Sequence, residues 1–201
     1  MENRLILASR SPRRLELLGK IGLHLDVIPS TVEEDSMTGE SPDGHVLRLA
    51  EAKALDVANR YPERWVVAAD TVVCVDDSVL GKPKTREEAI GMLTRLSGKE
   101  HHVFTGVSVN HVAKKAWDRQ AVKTAVKVKP LTEPEMEWYA GTGEPFDKAG
   151  GYAIQGIGAF MIESIRGSYT NVVGLPMCEL IRMMTRLGAI SIADCGFRVA
   201  D

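Results

Sequence analysis

Hydrophobic and polar positions follow two different periods along the chain, and these periods separate predicted strands from predicted helices. The apolar runs at residues 4–8 and 65–75 predict buried strands, because a strand covered on both faces is apolar at nearly every position. Residues 102–112 and 120–129 alternate with period two and are joined through Lys114–Lys115, which predicts an antiparallel hairpin. Part of the sheet is therefore expected to be antiparallel.

Apolar spacings of three and four residues predict the helices. Residues 45–61 place most of their apolar side chains on one helical stripe, which also contains Lys53. Thr85 and Thr132 are each followed three residues later by a glutamate, which is the pattern of a capping box. The predicted helices are Pro12 to about Lys20, residues 45–61, Thr85 to Gly98, a short helix after Thr132, and Pro176 to Leu187. Residues 141–162 are glycine-rich at their start and strand-like at their end.

Composition and charge limit the class of protein. The chain has 201 residues, 44% hydrophobic and 26% charged, which is typical of a globular protein. Without an internal repeat or a long linker, we expect one α/β domain over residues 1–201, with a tail at 188–201 of unknown role. The formal charge of −2 offers no overall field for nucleic acid or an anionic membrane, and neither is an expected partner. Three cysteines without CxxC spacing, and a start without a long apolar stretch, predict a cytoplasmic protein.

Several common catalytic motifs are absent from the sequence. It contains no GxxxxGK(S/T) phosphate loop, no strand-linked GxGxxG, no HExxH and no GxSxG. The P-loop, dinucleotide, zinc-protease and serine-hydrolase interpretations therefore lose their sequence support. His101 and His102 have no carboxylate or thiol at metal-ligand spacing, and we interpret them as structural residues at the surface or at a strand end.

Arg10, Arg13 and Arg14 surround the predicted first turn of the first helix, directly after Ser9. A cation near a helix N-terminus costs about 0.3–1 kcal/mol, because this end carries a partial positive charge. A bound anion would remove this cost, since the free backbone N–H groups and the guanidinium groups would both bind it. The pattern therefore predicts a phosphate site, with solvated arginines that point away as the alternative.

Asp70 stands alone as a carboxylate within the apolar run 65–75. Burial of an unpaired carboxylate is costly, so Asp70 must face a cation, a metal or a water-filled cleft; a structural hydrogen-bond acceptor is the alternative. Lys53 could extend its amine to water, Lys82 could be an ordinary surface lysine, and residues 33–35 could be a solvated acidic loop. Together, however, separated basic positions, an acidic cluster and an isolated carboxylate are what hydrolysis of a polyphosphate requires.

Seven motifs occur in order between about Leu5 and Leu187. They are LILASRSPRRLELL, EAKA, AADTVV, LGKP, LSGKEHHVFTGV, DKAGGYAIQG and GSYTNVVGLP. Together they resemble the Maf family of nucleoside triphosphate pyrophosphatases. The last two resemble the branch that hydrolyses dTTP and UTP rather than the branch that acts on 7-methyl-GTP. Two departures are visible: Asp77–Ser78 stands where such turns usually carry a glycine, and the tail from Gly188 to Asp201 extends past the usual end.

The resemblance implies an α/β fold with a mixed, curved sheet, flanking helices and two lobes around a cleft, similar to inosine triphosphate pyrophosphatases. It also implies a homodimer and a reaction that depends on a divalent metal cation, Mg²⁺, Mn²⁺ or Co²⁺. This reaction converts a nucleoside triphosphate and water to the monophosphate and pyrophosphate. In the family, the aspartate of the ADT motif is the proton acceptor, which is Asp70 here. Arg13, Thr71 and Gln155 correspond to positions associated with substrate choice.

We hypothesise that Asp70 accepts a proton from the water that attacks the α-phosphorus, and that Glu33 and Asp70 hold the metal. Gln155 can donate to O4 of uracil or thymine and accept from N3–H, but a flipped amide would suit cytosine. Its discrimination therefore requires neighbours that fix its orientation. The other candidates would contact the phosphates and offset their charge: Ser9, Arg13, Arg14, Lys53 and Lys82.

Two alternatives to this activity stay open. The enzyme could act on another modified nucleotide such as 7-methyl-GTP, and a panel of substrates separates these activities. Because Maf proteins are also linked to arrest of septum formation, the chain could instead act as a regulator through binding. A variant that has lost hydrolysis but still arrests division would support the regulator.

Overall fold

The computed structural model of the protein describes residues 5–34 and 39–191. Asp35 and residues 192–201 of the tail lie outside the described residues. The strands are β1 (Leu5–Leu7), β2 (Leu25–Val27), β3 (Val66–Val75), β4 (Ser78–Leu80), β5 (Glu100–His111), β6 (Ala116–Val128) and β7 (Ile162–Arg166). The α-helices are α1 (Pro12–Lys20), α2 (Pro42–Arg60), α3 (Arg86–Leu96), α4 (Glu133–Ala140), α5 (Tyr169–Val173) and α6 (Met177–Arg186). Short 3₁₀ helices cover Glu144–Asp147, Ala149–Gly151 and Ile157–Met161.

The strands form a mixed sheet with the order β2-β1-β3-β5-β6-β7, and β4 pairs with β3. Strand β1 runs parallel to both β2 and β3, whereas the β3–β4 and β6–β7 pairs are antiparallel. Strands β5 and β6 are neighbours joined only by residues 112–115, and so short a connection requires an antiparallel pair. The predicted mixed α/β fold and the predicted hairpin are confirmed. No helix in the described ranges is both long enough and apolar enough to cross a membrane.

The described residues divide into two compact units. The first lies within Met1–Asp70, Thr105–Val122 and Gly174–Asp201, and the second lies within Thr71–Phe104 and Lys123–Val173. Three of the four boundaries fall inside β3, β5 and β6 and the fourth follows α5, so each unit is assembled from separate stretches of sequence. The expectation of one domain over residues 1–201 stays a prediction.

Small side chains bring α2 close to the sheet in the first unit. Ala54 and Val57 of α2 belong to one buried cluster with residues of β1 and β3. The start of α2 also approaches β5, because a Cβ atom added to Gly106 would lie 2.2 Å from the carbonyl oxygen of Val46. Only glycine permits this approach, so Gly106 sets the distance between the strand and the helix that carries Lys53.

The second unit has a core of its own, built from β3 to β6, α3, α4 and the segment that follows α4. Burial of the aromatic rings of Tyr139 and Tyr152 in this core fixes both ends of the chain segment between them. The buried members are Val73, Val75, Leu80, Leu93, Leu96, Val103, Val126, Val128, Tyr139, Tyr152 and Met161.

Several boundaries differ from the predictions. Helix α2 begins at Pro42 rather than at His45, because Ser41 Oγ accepts the N–H of Gly44 at 3.3 Å and caps a polar first turn that the apolar stripe does not reveal. Strand β6 begins at Ala116 rather than at residue 120, and α5 was not predicted. The segment expected to end as a strand forms the 3₁₀ helix Ile157–Met161 instead, and β7 begins only after it.

The turn between β3 and β4 contains Asp77, one of the two residues that stand where such turns usually carry a glycine. Val75 pairs with Ser78, so Asp76 and Asp77 are the two central residues of a two-residue hairpin. Their φ angles are 48° and 56°, and two positive values define a type I′ turn, which favours Asn-Gly or Asp-Gly. Asp77 therefore occupies a position that favours glycine.

Candidate active site

Lys53 on α2 joins two carboxylates. Its Nζ lies 2.6 Å from Asp70 Oδ1 and 2.6 Å from Glu34 Oε1. The stripe of α2 that packs on the sheet carries Lys53, and β3 presents Asp70 to it from within an otherwise apolar run. The side chains of Lys53 and Asp70 are each 9% exposed, whereas that of Glu34 is 55% exposed. The Lys53–Asp70 pair is thus buried, and Glu34 connects it to the surface.

Asp70 faces a cation, which is one of the three surroundings that the sequence predicts for it. The alternative in which Lys53 extends its amine to water is wrong, because the buried ammonium donates to both carboxylates. Burial of an ion is tolerated only when partners replace the lost hydration, and the two carboxylates provide this replacement. One lysine and two carboxylates carry a formal charge of about −1 together, and the nearby guanidinium of Arg14 brings the local total to about zero.

Arg14 binds the backbone beside this group. Its Nη1 donates to Ala69 O at 2.6 Å and to Ser9 Oγ at 3.2 Å, and its Nε donates to Gly174 O at 2.8 Å. Ala69 is the residue before Asp70 in β3, so the guanidinium ties the first turn of α1 to the strand at the position of the carboxylate. A planar guanidinium holds several acceptors in fixed directions, which makes this connection rigid.

The three arginines of the first turn have different surroundings. Burial lowers the pKa of Arg14, whereas the negative charges of Asp70 and Glu34 act to raise it. A guanidinium keeps its proton under all ordinary conditions, so Arg14 adds a fixed positive charge near both carboxylates. Arg13 is partly buried and Arg10 is exposed.

Ser11 occupies the N-cap of α1 and Pro12 the first helical position, as the sequence predicts. In the part of the chain that the structure describes, no side chain caps this helix; the N–H of Ser11 donates instead to Ser9 Oγ at 3.2 Å. Ser9 is 8% exposed, and its hydroxyl thus serves both the start of the helix and Arg14. The N-terminal end of α1 carries the partial positive charge that attracts anions.

The acidic segment supplies Glu34 rather than Glu33 to the buried pair. Glu33 is exposed, and Asp35 lies outside the described residues. Within residues 5–34 and 39–191, no group of three or more His, Cys, Asp and Glu side chains is placed to hold a metal. Mg²⁺ commonly binds through one or two carboxylates and completes its coordination with substrate phosphates and water. Asp70 and the acidic segment fit an ion of that kind, and they do not form an all-protein cage.

The two adjacent histidines differ in burial, since His101 is buried and His102 is partly buried. His101 is 1% exposed, and its Nε2 lies 2.6 Å from the hydroxyl oxygen of Tyr152. Burial lowers the pKa of His101 to about 4, so the ring is neutral near pH 7. It lies at the start of β5, as predicted for a strand end, but it is buried rather than at the surface.

Sequence comparison identifies the family. Residues 4–187 match the family described as Maf-like protein. The chain belongs to the Maf-like family. The dTTP/UTP pyrophosphatase of Syntrophus aciditrophicus (strain SB) is 47% identical over 193 residues, which cover 96% of this chain and 94% of that protein. The dTTP/UTP pyrophosphatase of Geotalea uraniireducens (strain Rf4) is 47% identical over 189 residues, which cover 94% of this chain and 97% of that protein.

Solved structures with a detectable similarity to this Maf-like chain include two Ham1 proteins. The Ham1 protein of Staphylococcus aureus is 16% identical, with a TM-score of 0.43 over 62% of this chain and 71% of that one. The HAM1 protein of Coxiella burnetii is also 16% identical, with a TM-score of 0.41 over 62% of this chain and 72% of that one.

The remaining predicted residues of the Maf-like chain lie in the second unit. Thr71 directly follows Asp70 in β3 and is partly buried, and Lys82 is exposed in the turn before Pro83. Gln155 is partly buried and precedes the 3₁₀ helix Ile157–Met161.

Sequence analysis missed two residues of the second unit that contact the segment around Gln155, namely Tyr139 and Glu144. Glu144 Oε2 accepts the N–H of Ile157, and the hydroxyl of Tyr139 accepts the N–H of Ala153. A glutamate after glycines and a tyrosine near a helix end carry no distinctive sequence signal. Their importance follows only from the fold.

Proposed function

We propose that this Maf-like protein is a nucleoside triphosphate pyrophosphatase that hydrolyses dTTP and UTP to the monophosphate and pyrophosphate. The observation that carries the proposal is the buried Asp70 carboxylate, whose Oδ1 accepts from Lys53 at 2.6 Å. Relatives named dTTP/UTP pyrophosphatase match nearly the whole chain and support the same activity.

Asp70 is the proposed proton acceptor. Lys53 occupies Oδ1 and so fixes the rotation of the carboxylate, and we assign Oδ2 to the attacking water. As the water oxygen bonds to the α-phosphorus, its proton passes to Asp70 and the bond between the α-phosphorus and the bridging oxygen breaks. The bond pair stays on the departing pyrophosphate. Arg14 keeps the adjoining Ala69 carbonyl in place, so the carboxylate need not reorganise during the step.

The basic residues offset the charge of the triphosphate. We assign Arg13 to the phosphates together with the N-terminal end of α1, because both carry positive charge. Lys82, Ser9 and Arg14 are assigned to the same charge, although Arg14 and Ser9 also bind one another. Pyrophosphate is a better leaving group when its developing charge is neutralised.

A divalent cation, Mg²⁺, Mn²⁺ or Co²⁺, completes the proposal. Asp70 with Glu33 or Glu34 would hold it, and it would neutralise phosphate charge when bound with substrate. The contact between Glu34 and Lys53 favours Glu34 for this role over the predicted Glu33.

Base selection is assigned to Gln155 and Thr71. The Gln155 amide can donate to O4 and accept from N3–H of uracil or thymine, and the methyl group of thymine needs only space. One pocket can therefore accept both UTP and dTTP.

The test is pyrophosphate release from a panel of nucleoside triphosphates with Mg²⁺, Mn²⁺ or Co²⁺, and then with a chelator. We expect metal-dependent release from dTTP and UTP and weak release from ATP, GTP and CTP. Preferential cleavage of 7-methyl-GTP would replace the substrate assignment. Failure to cleave any triphosphate with any metal would refute the proposed activity. Arrest of septum formation by Asp70→Asn would then support a regulator that acts by binding.

Asp70→Asn separates binding from turnover. The amide keeps the shape of the carboxylate but cannot accept the proton, so nucleotide binding should persist while hydrolysis is lost. Substantial residual hydrolysis by this variant would exclude Asp70 as the base.

Two further assignments are a homodimer, which rests on the family alone, and a cytoplasmic location, which rests on three cysteines without CxxC spacing. Light scattering of the purified protein tests the first, and cell fractionation tests the second. A monomer in solution would contradict the homodimer.

A further inference from the structure

Glu144 holds the chain on the C-terminal side of Gln155. Its Oε1 accepts the N–H of Gly158 at 2.8 Å and its Oε2 accepts the N–H of Ile157 at 2.9 Å. The carboxylate thus binds the first two N–H groups of the 3₁₀ helix Ile157–Met161 and fixes the point at which this helix begins. Gln155 lies two residues before that point.

Tyr139 holds the chain on the other side. Its hydroxyl accepts the N–H of Ala153 at 3.0 Å and donates to Glu144 Oε1 at 2.8 Å. Tyr139 is fully buried, so this connection is anchored in the core of the second unit. The two residues, which we call the Tyr139–Glu144 clamp, therefore bind the backbone two residues before and two residues after Gln155.

Gly156 shows how tightly the clamp covers this turn. Its φ angle of 147° lies in a region that favours glycine. A Cβ atom added there would lie 2.4 Å from Glu144 Oε2. The residue after Gln155 thus lies close to the carboxylate, and a side chain at this position would displace it.

The protonation states of the clamp support the directions of its hydrogen bonds. Burial acts to raise the pKa of Glu144, but hydrogen bonds from Gly158, Ile157 and Tyr139 outweigh it, and the pKa lies below its ordinary value. Burial, followed by the hydrogen bond to Glu144, raises the pKa of Tyr139. The carboxylate therefore stays ionised as an acceptor, and the hydroxyl keeps the proton that it donates.

We propose that Tyr139 and Glu144 are positioning residues that hold Gln155 so that it distinguishes uracil and thymine from cytosine. This inference rests on the proposed function. A glutamine amide distinguishes these bases only when its donor and acceptor ends stay in place, because a flipped amide matches cytosine equally well. A fixed backbone on both sides does not stop rotation of the amide about its Cγ–Cδ bond, but it gives the side chain a fixed origin and the amide a fixed position. A shift of about 1 Å can cost about 100-fold in rate.

The experiment measures kcat/KM for UTP and for CTP in Glu144→Gln, Tyr139→Phe and the unsubstituted protein. Glutamine at 144 replaces one acceptor oxygen with a donor, which cannot bind a backbone N–H, and phenylalanine at 139 removes only the hydroxyl. We expect the UTP to CTP ratio to fall by about 10-fold or more in each variant. The matched control is Glu163→Gln, an exposed glutamate on β7, and its ratio should not change.

A double-mutant cycle separates positioning from a general loss of structure. If the clamp acts through Gln155, then Glu144→Gln should change the ratio no further in a Gln155→Ala background. Thermal denaturation shows whether each variant folds. If Glu144→Gln does not fold, the test uses Tyr139→Phe alone.

The outcomes distinguish the clamp from the function on which it rests. A lower melting temperature with an unchanged UTP to CTP ratio would mean that the clamp only stabilises the fold, and the inference would be overturned. If the unsubstituted protein itself does not prefer UTP to CTP, the proposed base selection fails and the inference falls with it. A strong preference that survives in both folded variants overturns the clamp alone.

Discussion

Removal of the Lys53 ammonium leaves the Asp70 carboxylate buried without its cation, so Lys53→Met should strongly destabilise the fold. At a separation of 2.6 Å and an effective dielectric constant of about 20, the attraction lost is about 6 kcal/mol. Desolvation of both groups offsets part of this attraction in the native protein. Loss of one partner from a buried pair costs about 3–5 kcal/mol, and we expect a decrease in that range. Methionine keeps most of the apolar stem, which limits the contribution of lost packing.

Urea unfolding at pH 7, followed by circular dichroism, measures this loss. With a slope of about 2 kcal/mol per molar urea, the midpoint should fall by about 2 M. Lys20→Met is the matched control, because it removes an ion pair with Glu16 whose side chains are 59% and 49% exposed. Such a helical surface pair contributes about 0.3–0.5 kcal/mol, so the control should hardly change the midpoint.

A second substitution identifies the cause. Asp70→Asn in the Lys53→Met background removes the uncompensated charge, so the double variant should be more stable than Lys53→Met alone. If Lys53→Met unfolds at the same urea concentration as Lys20→Met, the buried pair does not behave as a pair and the reasoning is refuted.

Three further predictions concern other positions. Gly106→Ala should lower the free energy of unfolding by about 1–3 kcal/mol, because the new Cβ would lie 2.2 Å from the Val46 carbonyl oxygen; Gly91→Ala on α3, with open space around it, is the control and should not destabilise. Asp77→Gly should raise the free energy of unfolding by up to about 1 kcal/mol, and the melting temperature with it, since glycine relieves the positive φ of the type I′ turn. A lower melting temperature would contradict this. The pKa of His101, about 4 in the folded state against an ordinary 6.5, implies that the unfolded chain binds more protons between these values. The free energy of unfolding is not reduced by this group above pH 6.5, and it falls by up to about 3 kcal/mol as the pH drops to 4. His101→Gln should therefore weaken the pH dependence of the free energy of unfolding between pH 6.5 and pH 4.

The sequence predicted the positions where chemistry is required better than it predicted their partners. A carboxylate inside an apolar run must face a cation, a metal or a water-filled cleft, so Asp70 could be selected from its neighbours alone. Its partner lies on a helix 17 residues earlier, and only the packing of α2 on β3 brings the two together. The choice of Glu34 over Glu33 depends on a loop, where no periodicity specifies which side chain points inward.

The glycine-rich segment shows a second limit of sequence reasoning. The need for fixed neighbours around Gln155 follows from the symmetry of a flipped amide and could be stated in advance. The residues that bind the backbone beside Gln155 could not, because Glu144 lies 13 residues before Ile157 and accepts its N–H only in the folded chain. Periodicity describes one segment at a time, so it does not reveal a side chain that holds the backbone of another segment.

Arg14 has surroundings that neither sequence interpretation, a phosphate site or solvated arginines, included. A guanidinium at a helix N-terminus meets a partial positive charge, but Arg14 also meets the partial negative charges of the Ala69 and Gly174 carbonyls and the field of Asp70. The unfavourable term of about 0.3–1 kcal/mol is therefore offset within the protein, without a bound anion. Because the carbonyls hold Arg14 before any substrate arrives, its charge is organised in advance, and binding energy is not consumed in orienting it. Arg13 precedes Arg14 in the first turn of α1 and is partly buried, and its proposed contact with the phosphates is best tested by substitution at that position.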